Sequence, residues 1–151
     1  MKAEVKPRIN LEGRTKLETV IPLETPFVIF VDPSSACNFK CTYCPTGHLD
    51  LIKNTKRYQG VLKLEVYKKI IDDLKDFKKN IKVLRLYKDG EPFLNKNLAE
   101  MISYAKKSGK VDYIDTTTNA ALMSKKRLGP VLEAGIDKIN VSIDGMSNET
   151  Y

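Results

Sequence analysis

Four short apolar runs, FVIFVD (27–32), IKVLRLYK (81–88), VDYIDTTT (111–118) and KINVSID (138–144), are separated by stretches with helical spacing, and no other feature limits the fold as strongly. Between the first two runs, LEVYKKIIDDLKDFKK (64–79) places Tyr67, Ile70, Ile71, Leu74 and Phe77 on one helical face. After the second, NLAEMISYAKKSG predicts a helix in which Asn97 caps with Glu100, Leu98, Met101, Ile102 and Ala105 form the stripe, and Gly109 stops the helix. A third helix is expected from Ser124 to Ala134, ended by Gly135, with a late start or a kink at Gly129-Pro130 because proline removes a hydrogen bond. Strands alternating with helices predict an α/β fold with a parallel sheet and right-handed crossovers. Residues 1–26 read as an irregular, proline-punctuated arm, and 27–151 as one domain.

The last run sharpens this. Ile139, Val141 and Ile143 alternate with Asn140, Ser142 and Asp144, so one face is apolar and the other polar. Parallel sheets are covered on both faces, and a polar face must meet water, a ligand or a cofactor. A barrel or part-barrel lining a site satisfies that demand, with its working residues at the C-terminal ends of the strands. Those ends carry a loop with all three cysteines, then Asp89-Gly90-Glu91-Pro92, then Thr117-Thr118-Asn119, then Ser142-Ile143-Asp144-Gly145. All four are expected on one rim.

The cysteines, Cys37, Cys41 and Cys44 in CNFKCTYCP, are an odd number in tight spacing, which points away from a disulfide framework and toward metal or redox chemistry. Thiolates favour zinc, copper(I) or iron–sulfur clusters. Three cannot complete four-fold cysteine ligation, which leaves a cluster with one open iron, a zinc site completed by His48, the only histidine, or a redox pair at Cys41 and Cys44. The net charge of +7 is mostly lysine. Pairs such as Lys68-Lys69, Lys78-Lys79 and Lys106-Lys107 suit solvated helix faces, and KNTKR (53–57) is the best candidate for a nucleic-acid surface. The sequence has no apolar run of membrane-spanning length and no secretory signal at its start, so the cytoplasm is the expected compartment.

CNFKCTYC, with Tyr43 in the aromatic slot and a strand just before it, resembles the CxxxCxΦC motif of the radical S-adenosylmethionine (radical SAM) superfamily. GEP (90–92), TTNA (117–120) and SIDG (142–145) resemble that family's segments at the next three strand ends. The resemblance implies that Cys37, Cys41 and Cys44 hold three irons of a [4Fe–4S] cluster, with the fourth iron chelated by the amino and carboxylate groups of SAM. It further implies reductive cleavage of SAM to a 5′-deoxyadenosyl radical that abstracts hydrogen from a substrate, with a flavodoxin- or ferredoxin-type electron donor. Tyr43 would pack near the adenine, and backbone carbonyls around Gly90 would receive the SAM ammonium, in a turn that Pro92 completes. Glu91 would fix that turn or meet the ammonium, Asn119 and Ser142 would contact the ribose or carboxylate, and Asp144 would join the polar rim.

Members of this family usually close a part-barrel with about six strand–helix units. The resemblance therefore implies a partial (β/α) barrel truncated after strand four. Two other readings stay open: a zinc-stabilised Cys3His module binding nucleic acid through its basic surface, and a catalytically idle remnant that keeps the cluster for structure.

Overall fold

A computed structural model of the chain describes residues 4–5, 14–145, 147 and 149. Part of the expected arm (1–3 and 6–13) and residues 146, 148, 150 and 151 lie outside them. Four strands form one sheet: β1 (Val28–Phe30), β2 (Val83–Arg85), β3 (Ile114–Thr118) and β4 (Lys138–Val141), all parallel and in sequential order. The crossovers carry α2 (Leu64–Asp73), α3 (Leu98–Ser108) and α4 (Lys125–Glu133), and a short α1 (Leu49–Lys53) follows the cysteine loop. Sequential order with crossovers of one hand stacks the helices on one face of the sheet, where α2 packs on α3 and α3 on α4. Tyr67, Ile71, Leu84, Leu86, Met101, Ile102 and Ile114 fill the space between sheet and helices. The opposite face carries Phe30, Tyr87, Arg85 and Asp115, with the guanidinium of Arg85 3.6 Å from the Asp115 carboxylate and 5.4 Å from the centre of the Phe30 ring.

Several boundaries differ from the sequence expectation. The strands are shorter, although Val31 N still donates to Arg85 O and Leu86 N to Asp115 O, so the ladders outlast the regular segments. The helix expected over 64–79 ends at Asp73 and tightens into a 3₁₀ turn, Leu74–Asp76. Asp72 and Asp73 stand at its negative end with no basic residue in the last turn, an arrangement that the helix dipole disfavours.

Asn97 does not cap α3 through its side chain. Its backbone (φ −92°, ψ 6°) is not the extended conformation a cap needs, and its N–H donates instead to the Asn95 side-chain oxygen. Gly109 does end that helix, in the left-handed conformation at φ 64°. The expected late start at Gly129-Pro130 does not occur, because α4 runs through Pro130 from Lys125. The residue before a proline avoids the helical region when its Cβ meets the ring, and Gly129 has none. On β4 the apolar alternation outlasts the strand: Val141 is 44% and Ile143 64% exposed. β4 is the outermost strand, and its far end gains no cover among the described residues.

Part of the lysine-rich surface is paired. Lys68 meets Glu100, Lys69 meets Asp73, Lys78 meets Glu24 and Lys106 meets Asp137. Such exposed pairs each contribute little, so they solvate the helices more than they stabilise them. No helix among the described residues is long and apolar enough to cross a membrane.

Tyr67 places a polar group deep in the apolar core. Its side chain is fully buried, its hydroxyl finds no hydrogen-bond partner, and burial pushes the phenol above its ordinary range. An unsatisfied buried hydroxyl costs on the order of 1–3 kcal/mol. Tyr67→Phe is expected to hold or raise stability by up to about 1 kcal/mol in urea denaturation. A fall of that size would mean that the hydroxyl has a partner.

Candidate functional site

The four strand ends are tied to one another by named contacts, and the tie begins with Glu91. Its carboxylate is 2% exposed. Oε1 accepts from Phe93 N at 3.0 Å and from the Thr118 hydroxyl at 2.7 Å, while Oε2 accepts from Asn119 N at 2.9 Å. One buried carboxylate thus joins the turn after β2 to the end of β3, and both its oxygens are engaged within the protein. The backbone N–H of Glu91 donates to Ala36 O at 2.9 Å and so draws in the loop after β1.

Gly90 makes that approach feasible. A Cβ there would lie 2.1 Å from Ser34 O and 2.3 Å from Ala36 O, so the backbone of the cysteine loop occupies the space a side chain would need. The sequence reading assigned the missing side chain to SAM; in the structure its immediate neighbour is the cysteine loop itself. Pro92 is buried and opens the 3₁₀ turn Pro92–Leu94, whose cap is the Glu91 side chain.

Asn119 turns from β3 toward the thiols. Its Nδ2 donates to Asn38 Oδ1 at 3.0 Å and points at Cys37 Sγ at 3.7 Å, while its Oδ1 accepts from Ala121 N. Cys37 Sγ also receives the Phe39 N–H at 3.4 Å. Burial raises the Cys37 thiol above its usual range; the Phe39 N–H works against this, and the negative charges of Glu91, Cys41 and Cys44 add to it. The last strand end reaches the same loop. Ser142 N donates to Thr118 O at 2.9 Å, and the exposed Tyr43 (70%) hydrogen-bonds through its hydroxyl to the Asp144 carboxylate, which pushes the Tyr43 phenol above its usual range.

All three cysteines are free and partly buried on one loop. Among the described residues, no three His, Cys, Asp or Glu side chains are gathered closely enough to form a closed metal site. The donor set nevertheless fits an iron–sulfur cluster by its chemistry: three soft thiols on a rim, one of them already met by N–H donors of the kind that stabilise cluster sulfur. His48 is engaged elsewhere. Its Nε2 lies 3.0 Å from Thr42 O, and since a carbonyl only accepts, that nitrogen carries the proton.

A model of the radical SAM superfamily matches residues 31–151. The chain belongs to the radical SAM superfamily. Its members work with a [4Fe–4S] cluster and SAM. Among curated relatives, the GTP 3′,8-cyclase of Brucella ovis is 27% identical over 150 residues, covering 94% of this chain and 41% of the relative. That of Chlorobaculum tepidum is 29% identical over 125 residues, covering 78% and 33%. The chain thus spans less than half the length of these cyclases. Among solved structures, selenomethionine BtrN in an open conformation superposes with a TM-score of 0.64 at 25% identity, covering 83% of this chain and 53% of that one. BtrN in complex with AdoMet and 2-DOIA gives 0.61 at 27% identity, covering 78% and 45%. The four-stranded parallel sheet is the part-barrel fold of that family.

Sequence reasoning missed the roles of Asn38, Thr118 and Arg57. Thr118 was legible only as part of a threonine run, and its partner Glu91 lies 27 residues away. Arg57 was counted among surface cations, yet it is the one arginine in KNTKR, and arginine is the residue chosen where several acceptors must be met at fixed angles.

Glu91→Gln tests the tie. Whichever oxygen becomes an amide nitrogen, it faces a backbone N–H, of Phe93 or of Asn119, and one bond becomes a clash of donors. The expected loss is about 1–3 kcal/mol in denaturant titration, with faster amide exchange at residues 89–93 and 117–121. An unchanged midpoint would show the tie to be dispensable.

Proposed function

We propose that the chain is a radical SAM catalytic unit built on four parallel strands and three crossover helices, with Cys37, Cys41 and Cys44 as the ligands of three cluster irons. The observation that carries this reading is the contact of Asn119 with Cys37 Sγ, reinforced by the Glu91 tie, because it joins strand ends far apart in sequence around the thiols. A cluster and SAM bound there supply reductive cleavage of the sulfonium and a 5′-deoxyadenosyl radical for hydrogen abstraction. The protein's share of the work is orientation. Glu91 holds the turn at Gly90, whose carbonyls would accept from the SAM ammonium. Asn119 steadies Cys37 and, with Ser142, borders the ribose and carboxylate. Tyr43, held by Asp144, would cover the adenine side and limit access of water.

The substrate would lie over the open face of the sheet, where Phe30, Tyr87 and Arg85 stand clear of the helices. The relatives named above act on GTP or bind 2-DOIA, and a small polar metabolite is the matching class for this chain. A low-potential flavodoxin- or ferredoxin-type protein in the cytoplasm would deliver the electron. The zinc-module alternative gains no support from His48, whose Nε2 is held by Thr42 O.

Anaerobic reconstitution with iron and sulfide tests this reading. Brown protein with about four irons per chain, a reduced EPR signal altered by SAM, and loss of both in Cys37→Ala are expected. Colourless protein carrying one zinc would overturn the reading in favour of the zinc module. Full cluster loading without 5′-deoxyadenosine, given SAM and dithionite, would identify an idle remnant.

A further inference from the structure

Arg57 has no place in that chemistry, yet its guanidinium joins both shoulders of the cysteine loop. Nη2 donates to Thr46 Oγ1 at 2.9 Å and to Ser35 O at 3.3 Å, and lies 3.5 Å from Asp89 O. Nε sits 3.6 Å from Asp89 Oδ2. Ser35 precedes Cys37 by two residues and Thr46 follows Cys44 by two, so the two ends of the segment bearing the thiols meet at one cation.

The acceptors are themselves anchored. The Thr46 hydroxyl donates to Asp89 O at 2.6 Å, and Asp89 N donates to Asp32 Oδ2 at 3.2 Å, at the end of β1. Ser35 is fixed from its other side, since its N–H donates to Gly60 O and its hydroxyl accepts from Gly60 N. The Arg57 side chain is only 26% exposed, which removes it from any open basic surface along KNTKR.

We propose that Arg57 is a positioning residue that sets the separation of the two ends of the cysteine loop, through Ser35 and Thr46, before any cluster is bound. What the loop then receives rests on the function proposed above; the clamp itself does not. A loop whose ends are already fixed loses less conformational freedom when three side chains must converge on one ligand. Lysine cannot substitute. An ammonium carries its charge on one nitrogen, so it cannot bond the Ser35 carbonyl and the Thr46 hydroxyl, as Nη2 does, while a second nitrogen stands 3.6 Å from the Asp89 carboxylate.

Hydrogen exchange on the cluster-free full chain tests the clamp. In Arg57→Ala and Arg57→Lys, amides of residues 37–47 should exchange about tenfold faster, and in Thr46→Val about threefold faster, while β3 and α3 keep their protection. Unchanged exchange in Arg57→Ala would overturn the proposal, as would full protection in Arg57→Lys, which would reduce the role to charge alone. Equal loss of protection across β3 and α3 would overturn it as well, because the effect would then be general stability. A second readout uses reconstituted protein, in which a chelator should strip iron faster from Arg57→Ala than from the unaltered chain. If the unaltered chain takes up no cluster but the loop still loosens in Arg57→Ala, the clamp stands and the function proposed above falls. If it loads four irons and the variant's loop exchanges at the unaltered rate, the clamp alone falls.

Discussion

The buried carboxylate of Glu91 is the interaction on which the rim depends. A carboxylate out of contact with water is tolerated only when its oxygens are met by donors, and here a hydroxyl and two backbone N–H groups meet them. The arrangement has a directional consequence. Because the donors come from both sides of the β2–β3 boundary, the turn at Gly90 cannot move without dragging the end of β3 with it. Gly90 presses on the backbone of the cysteine loop, so the loop inherits that fixed position. The thiols are thus placed by a chain of contacts whose anchor is not itself a thiol neighbour in sequence.

Much of the architecture could be read from spacing. Four apolar runs alternating with three amphipathic stretches gave the strands, the helices, their order and the location of the rim, and Met101, Ile102 and Ala105 are buried as their periodicity requires. What spacing could not supply was the local chemistry at element ends. Asn97 looked like a cap, but its role passed to Asn95, whose buried amide also holds Pro33 O and Leu62 O. Pro130 looked like an interruption, and the glycine before it removed the clash. In each case the deciding group was a neighbour's, the side chain of Asn95 two residues from Asn97 and the Cβ that Gly129 lacks, and neither leaves a periodic trace.

The site was legible to a different depth. The cysteine spacing pointed to a donor set, and strand ends pointed to companions, but the pairing among those companions is a matter of tertiary distance. Asn119 with Asn38, Thr118 with Glu91 and Arg57 with Thr46 are each polar side chains that any loop could carry. Composition pulled the other way for Arg57, because a chain so rich in lysine invites every cation to be counted as solvated surface. The fork of a guanidinium meeting a carbonyl, a hydroxyl and a carboxylate is visible only in three dimensions.

Tyr43 and Asp144 bear on the shape of the whole assembly. Neighbouring strands stand about 4.8 Å apart, so a flat sheet of four would separate the outer two by about 14 Å. Yet a residue of the loop after β1 donates a hydrogen bond to one just past β4. The loop therefore leaves the end of β1, reaches across the sheet at Tyr43 and returns to Thr46, where Arg57 holds its two ends together. How far it must reach is dictated by the number and curvature of the strands beneath it, and the thiols are carried on that excursion.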